Sequence, residues 1–149
     1  DVPALVAGFA YTHVAAGEQH TVLLRSDGTA TARGDNAFGQ CDLPALPGST
    51  TYAQVAAGER HTVLLRSNGT AAACGNNDVG QCDLPALVGD QMYTEAATGG
   101  HHTVLLRSDG TATACGLNFN GQRDLPVLAA SLTYTQVAAG GHHTVLLRS

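Results

Sequence analysis

A 41-residue unit recurs almost unchanged along the chain, and so strict a repeat confines the fold to one small supersecondary element stacked on copies of itself. Tyr11, Tyr52, Tyr93 and Tyr134 stand 41 residues apart. The heptapeptide His-Thr-Val-Leu-Leu-Arg-Ser returns at 20–26, 61–67, 102–108 and 143–149. In the same frame Gly-Gln falls at Gly39, Gly80 and Gly121, and Asp-Leu-Pro at Asp42, Asp83 and Asp124, with Asp1-Val2-Pro3 as the first copy. The chain therefore reads as a single domain, 1–149, of units 1–41, 42–82 and 83–123 with a partial unit 124–149.

Within a unit the local signals are those of strands, because β-branched residues cluster in short runs bounded by Gly and by Asp-Gly or Asn-Gly pairs. The pattern predicts strands at Tyr11–Ala15, His20–Arg25 and Thr29–Arg33, with a short fourth near Leu43–Leu46. Asp27-Gly28, Asn68-Gly69 and Asp109-Gly110 mark hairpin turns that need positive φ. No segment has a 3.6-residue period. Small antiparallel sheets repeated every forty or so residues are the pattern of an all-β propeller, about three and a half blades of it.

Alanine makes up much of the apolar content, there is no Trp, and three Phe and four Tyr are the only large rings, so each unit's core must be thin. The formal net charge is −5, and the seven basic residues are all Arg and spread out. Nothing here makes the basic stripe that neutralises phosphates, so nucleic acid is not an expected partner. The apolar runs are far shorter than the roughly 20 residues of a membrane-spanning helix, and direct membrane insertion is not expected either. The first residue is Asp1 and not Met, which suggests a processed or partial product.

The core Val-Ala-Ala-Gly-x-x-His-Thr-Val-Leu-Leu-x-x-Asp-Gly, as at 14–28, followed by Gly-x-Asn-x-x-Gly-Gln, as at 116–122, resembles the repeats of the regulator of chromosome condensation family. The likeness covers essentially the whole chain. It implies propeller blades, usually seven closed by strands from both termini, and functions that differ widely between members, so the fold alone names no activity. Where the family usually has Trp-Gly, this chain has Arg33-Gly34, Cys74-Gly75 and Cys115-Gly116. Without Trp, a light-sensing role like that of the family's plant ultraviolet receptor is not expected. Against seven blades this chain is an incomplete ring with open blade edges. Three arrangements answer to that: part of a longer propeller, a self-associating half, or an arc docked on a partner.

Cys41 and Cys82 occupy the last position of their units, and Cys74 and Cys115 occupy position 33, with Arg123 and Arg33 breaking the two series at opposite ends. Four cysteines allow three connectivities. Pairing Cys41 with Cys74 and Cys82 with Cys115, between units, accounts for both Arg substitutions, and the alternative is four reduced thiols. Such disulfides would imply an oxidising compartment.

His20, His61, His102 and His143 each take the same strand position in a different unit, too far apart to share a metal whose ligands lie about 2 Å from it. A blade histidine bonded to backbone is the expected role, and no metal or cofactor is expected. Ser26, Ser67, Ser108 and Ser149, and Asp42, Asp83 and Asp124, repeat identically, which argues for turn chemistry and against catalysis. The chain is not read as an enzyme.

Positions that vary between units mark where the fold does not dictate the residue. They are the loop after the third strand, 35–38, 76–79 and 117–120; the pairs 18–19, 59–60, 100–101 and 141–142; and the segments 6–10, 47–51, 88–92 and 129–133. Loops on a rigid scaffold carry recognition. Asp35, Phe38, Asn77, Asp78, Val79, Leu117, Phe119 and Asn120 are the candidate partner-binding residues, Phe38 and Phe119 being the anchors. The expected role is a protein-interaction scaffold or accessory subunit, the alternative a regulator or inhibitor of an enzyme or small GTPase. The resemblance spans a nucleotide-exchange factor and a β-lactamase inhibitor. The partner would be another protein or a larger assembly, with self-association through open blade edges as a further possibility.

Overall fold

The computed structural model describes residues 4, 5 and 7–149; the first Asp-x-Pro copy at 1–3 and Val6 lie outside the described residues. Eleven strands are described: β1 (Tyr11–Ala16), β2 (His20–Arg25), β3 (Ala30–Gly34), β4 (Tyr52–Ala57), β5 (His61–Arg66), β6 (Ala71–Gly75), β7 (Tyr93–Thr98), β8 (His102–Arg107), β9 (Ala112–Gly116), β10 (Tyr134–Ala139) and β11 (Thr144–Arg148). They form antiparallel sheets β1-β2-β3, β4-β5-β6 and β7-β8-β9, and a two-stranded β10-β11. Each sheet is one blade of an all-β, incomplete propeller.

The β2–β3 turn is a type I turn closed by a left-handed glycine. Gly28 N donates to Arg25 O at 2.9 Å and Arg25 N to Thr29 O at 2.8 Å, and Gly28 has φ 77°. Asp27 Oδ1 accepts from both Thr29 N and Thr29 Oγ1. Thr29 is thereby held in the turn, and the third strand begins one residue later than the sequence pattern suggests.

The expected fourth strand near Leu43–Leu46 is not formed. That segment runs without ladder partners because Pro44 lacks an N–H, and its carbonyl takes the Tyr52 hydroxyl instead. Leu43 and Leu46 are nonetheless packed, since they lie against the junction between the first two blades.

The core sits between blades and not inside them. Val22, Leu24 and Ala32 of one blade meet Tyr52, Val55 and Leu64 of the next. Val63 and Leu65 meet Tyr93, Ala96 and Leu105, and Val104 and Leu106 meet Tyr134 and Val137. A three-stranded sheet of this size cannot bury its faces alone, so the repeat is obligatory for stability.

Candidate partner-binding face

Antiparallel pairing decides which variable segments share a face. His20 pairs with Gly34, His61 with Gly75 and His102 with Gly116, so the first loop of each blade and the loop after its third strand emerge at the same end. The segments 47–51, 88–92 and 129–133 come out at the opposite end, where Ser67 N donates to Thr51 O and Ser108 N to Met92 O. Two of the three variable sets are thus brought together and the third is set apart.

A buried glutamine holds each loop of the first end in shape. Gln40, Gln81 and Gln122 are 0%, 0% and 3% exposed. Their side-chain carbonyls accept from Phe38 N, Val79 N and Asn120 N. Asn36, Asn77 and Asn118 each clamp the loop, donating to Asp42, Asp83 and Asp124 and accepting the backbone N–H of residue 41, 82 or 123. Asn77 and Asp35 are therefore committed within their loops: Asp35 Oδ2 accepts from Gln40 Nε2 at 2.8 Å. Asp78 accepts from Asn76 Nδ2 at 2.7 Å and keeps an exposed carboxylate.

Leu117 occupies the position of Asp35 and Asn76 and has no acceptor to offer, so Gln122 Nε2 is buried without a partner. Restoring one with Leu117→Asn is expected to raise stability by about 1 kcal/mol, the typical worth of an intramolecular hydrogen bond. Chemical denaturation checks this; an unchanged midpoint with unchanged slope would contradict the account of that loop.

The loops meet across blades. The Arg60 guanidinium lies over the Phe38 ring at 5.0 Å, Arg60 Nε is 3.8 Å from Glu59 Oε1, and Glu59 Oε2 is 3.1 Å from His101 Nε2. Phe38, Arg60, Glu59 and His101 thus form one continuous polar and aromatic strip over the first three blades. Val79 is half-exposed, Phe119 is 90% exposed, and Asn120 is exposed beside it. Of the candidate residues, Phe38, Asn77, Asp78, Val79, Phe119 and Asn120 are exposed, and Asp35 and Leu117 are half-buried. Arg60, Glu59 and His101 were marked in the sequence only by variation at equivalent positions.

Beneath this face a relay ties each blade to the next. His20 Nε2 lies 2.9 Å from Thr62 Oγ1, which donates to Gln40 O at 2.8 Å. His61, Thr103 and Gln81 repeat it, as do His102, Thr144 and Gln122. Since the hydroxyl proton goes to the carbonyl, Nε2 carries the imidazole proton. The expected backbone partner of these histidines is in fact a threonine of the following blade. Their Nδ1 atoms are buried without partners. Burial accordingly lowers the pKa of His20 and His102, and brings that of His61 down to about 4. Among the described residues no group of three metal-ligating side chains forms.

The four cysteines carry free thiols, each donating to a carbonyl: Cys41 to Asp35, Cys74 to Gln40, Cys82 to Asn76 and Cys115 to Gln81. Cys74 thus lies against the residue before Cys41, and Cys115 against the residue before Cys82. Burial pushes the Cys74 thiol up to about 12 and those of Cys82 and Cys115 to about 11, so they are poor nucleophiles.

No curated protein sequence matches the chain. Its fold is similar to yeast RCC1 (Prp20) in a structure bound to Kap60, with TM-score 0.78 and 21% identity over 97% of this chain and 43% of that one. Human WBSCR16 is similar with TM-score 0.76 and 20% identity, over 91% and 46%. The ectodomain of the Arabidopsis thaliana receptor kinase ACR4 gives 0.68 and 19%, over 93% and 50%. The chain spans at most about half the length of these structures. The model of the regulator of chromosome condensation (RCC1) repeat matches residues 11–40, 52–81 and 94–122, more than half of the chain. On those three matched blades, the chain belongs to the RCC1 repeat family.

Proposed function

We propose that the chain is a protein-interaction module and not a catalyst, and that it presents the strip Phe38, Arg60, Glu59 and His101, with Val79, Phe119 and Asn120, to a partner protein. The observation that carries this is the convergence of two of the three variable sets at one end of the repeated scaffold, with a 90% exposed aromatic among them. Aromatic and Arg residues dominate protein–protein hot spots. The fold relatives support a protein partner, since yeast Prp20p is described by its binding to Gsp1p and histones.

The test compares proteins retained by the immobilised chain with those retained by Phe38→Ala/Arg60→Ala and by Val88→Ser/Met92→Ser at the opposite end. The reading expects a retained protein whose capture falls at least about tenfold in the first variant, as loss of a hot-spot pair does, and is unchanged in the second. The reverse pattern, or no retention, overturns it. A small GTPase or an enzyme as the retained protein, with its rate altered on binding, would make the module a regulator.

We also propose that in an oxidising compartment Cys41 joins Cys74 and Cys82 joins Cys115; the reading is supported by the Cys74 and Cys115 thiols lying against the carbonyls of Gln40 and Gln81, the residues before Cys41 and Cys82. A disulfide-exchange oxidant takes up the two thiol hydrogens of each pair. Alkylation of never-reduced protein, read by intact mass, is expected to leave all four thiols unlabelled; four labelled thiols would contradict it.

A further inference from the structure

The three junctions between blades are copies of one interface with two unlike halves. The earlier blade supplies the Val and Leu of its middle strand and its relay histidine, and at the second and third junctions the side chain at position 13 of the unit; at the first, His13 lies against Thr12 of its own strand instead. The later blade supplies an apolar residue of its first strand, a Thr hydroxyl and a backbone N–H. At the second junction Gln54 Nε2 donates to Ala96 O and Gln54 Oε1 accepts from Ala96 N, both at 3.0 Å; at the third Glu95 Oε2 accepts from Val137 N at 2.9 Å.

The described arc displays one half at its last blade and part of the other at its first, where Leu23, the equivalent of Leu64 and Leu105, stays buried at 4% exposure and the open part is the first strand. On the first blade Val14 is 68% exposed, whereas its equivalents Val55, Ala96 and Val137 are 6%, 5% and 4% exposed. Thr21 is half-buried there, whereas Thr62 and Thr103 are fully buried. On the last blade Val145 and Leu147 are 56% and 59% exposed, against 0% and 3% for Val22 and Leu24. His143 and Gln136 are exposed beside them. The two faces therefore carry residues of the two sides of a junction that this structure already contains three times.

We propose that a second copy of this chain docks head to tail, the last blade of one on the first blade of the other. Val145 and Leu147 cover Val14, His143 Nε2–H reaches Thr21 Oγ1, and the Gln136 amide takes the Val14 backbone. The contact joins two different surfaces, so it is heterologous and continues until a ring closes or the chain of copies ends. It uses blade faces, distinct from the open edge of β11 and from the loop strip at one end, so it stands or falls independently of the partner reading.

Sedimentation of the 149-residue chain over a range of concentrations is expected to show mass rising beyond one copy. Val14→Glu keeps only the last-blade face competent, and Leu147→Glu keeps only the first-blade face. Each variant alone is expected to be a monomer, and an equimolar mixture to give a dimer and nothing larger. Both positions are exposed, and melting curves matching the monomeric fraction of the wild type confirm folding. A wild type that stays monomeric at its highest soluble concentration overturns the proposal, leaving the faces to another blade or a different protein. So does association that both variants leave intact, which would point to pairing through the β11 edge.

Discussion

Acidification from pH 7 to below pH 4 is expected to remove roughly 3 kcal/mol of folding stability through His61 alone, at about 1.4 kcal/mol per unit of its shift. His61 is fully buried and holds its neutral form down to about 4, against an ordinary value of 6.5. Above pH 6.5 it is neutral in both folded and unfolded chains and adds no pH dependence. Between 6.5 and 4 the unfolded chain takes a proton that the folded one refuses, so stability falls as pH falls. Below 4 both are protonated and the loss is complete. Desolvation is the main cause, and the nearby imidazoles of His101, His102 and His20 lower the pKa further by like-charge repulsion. His20 and His102 are shifted in the same direction and steepen the decline. Urea midpoints measured across this range check the slope. His61→Gln, which keeps a donor for Thr103 and cannot titrate, is expected to flatten it; an unchanged slope would contradict the relay.

Gly58→Ala is expected to cost more than about 3 kcal/mol, at the upper end of what overpacking a core does. An added Cβ would stand 2.2 Å from His61 Cε1 and 2.6 Å from Gly99 O of the next blade. Neither can yield cheaply, one being a ring locked in the relay and the other backbone. The same contact recurs at Gly17 and Gly99, so the glycine is required by close approach between blades and not by an unusual φ. Gly141→Ala, where nothing lies within 4 Å, is the control and is expected to melt close to the wild type. Equal melting temperatures for the two variants would show that the blades separate more easily than this packing implies.

The sequence made the architecture legible because each blade has to be written out again for each junction. The second strands, His20–Arg25 and its copies, are where the short apolar run, the Asp-Gly or Asn-Gly turn and the repeat agree. The Leu43–Leu46 segment misled because its leucines are core residues: they signal burial, while Pro44 removes the donor that a strand would need. The relay was hidden for a different reason. Thr62 looks like one more β-branched strand residue, and only the approach of the preceding blade reveals it as the partner of His20 and Gln40. On the candidate face the split was chemical. Phe38 and Phe119 stood out as aromatics in loops, whereas Asn77 and Asp35 share the polarity of binding residues yet are spent on closing their own loops. Arg60 and His101 fell outside the candidate set because a cation stacked on a ring of the neighbouring blade is a contact 22 residues away in sequence.

The interaction face is tested most directly by amide hydrogen exchange on the chain, free and bound to a retained partner. The account predicts slowed exchange at 35–38, 59–60, 76–79, 100–101 and 117–120, with no change at 26–28, 47–51, 67–69 and 88–92. Protection confined to the second group would place the partner at the opposite end and contradict the assignment.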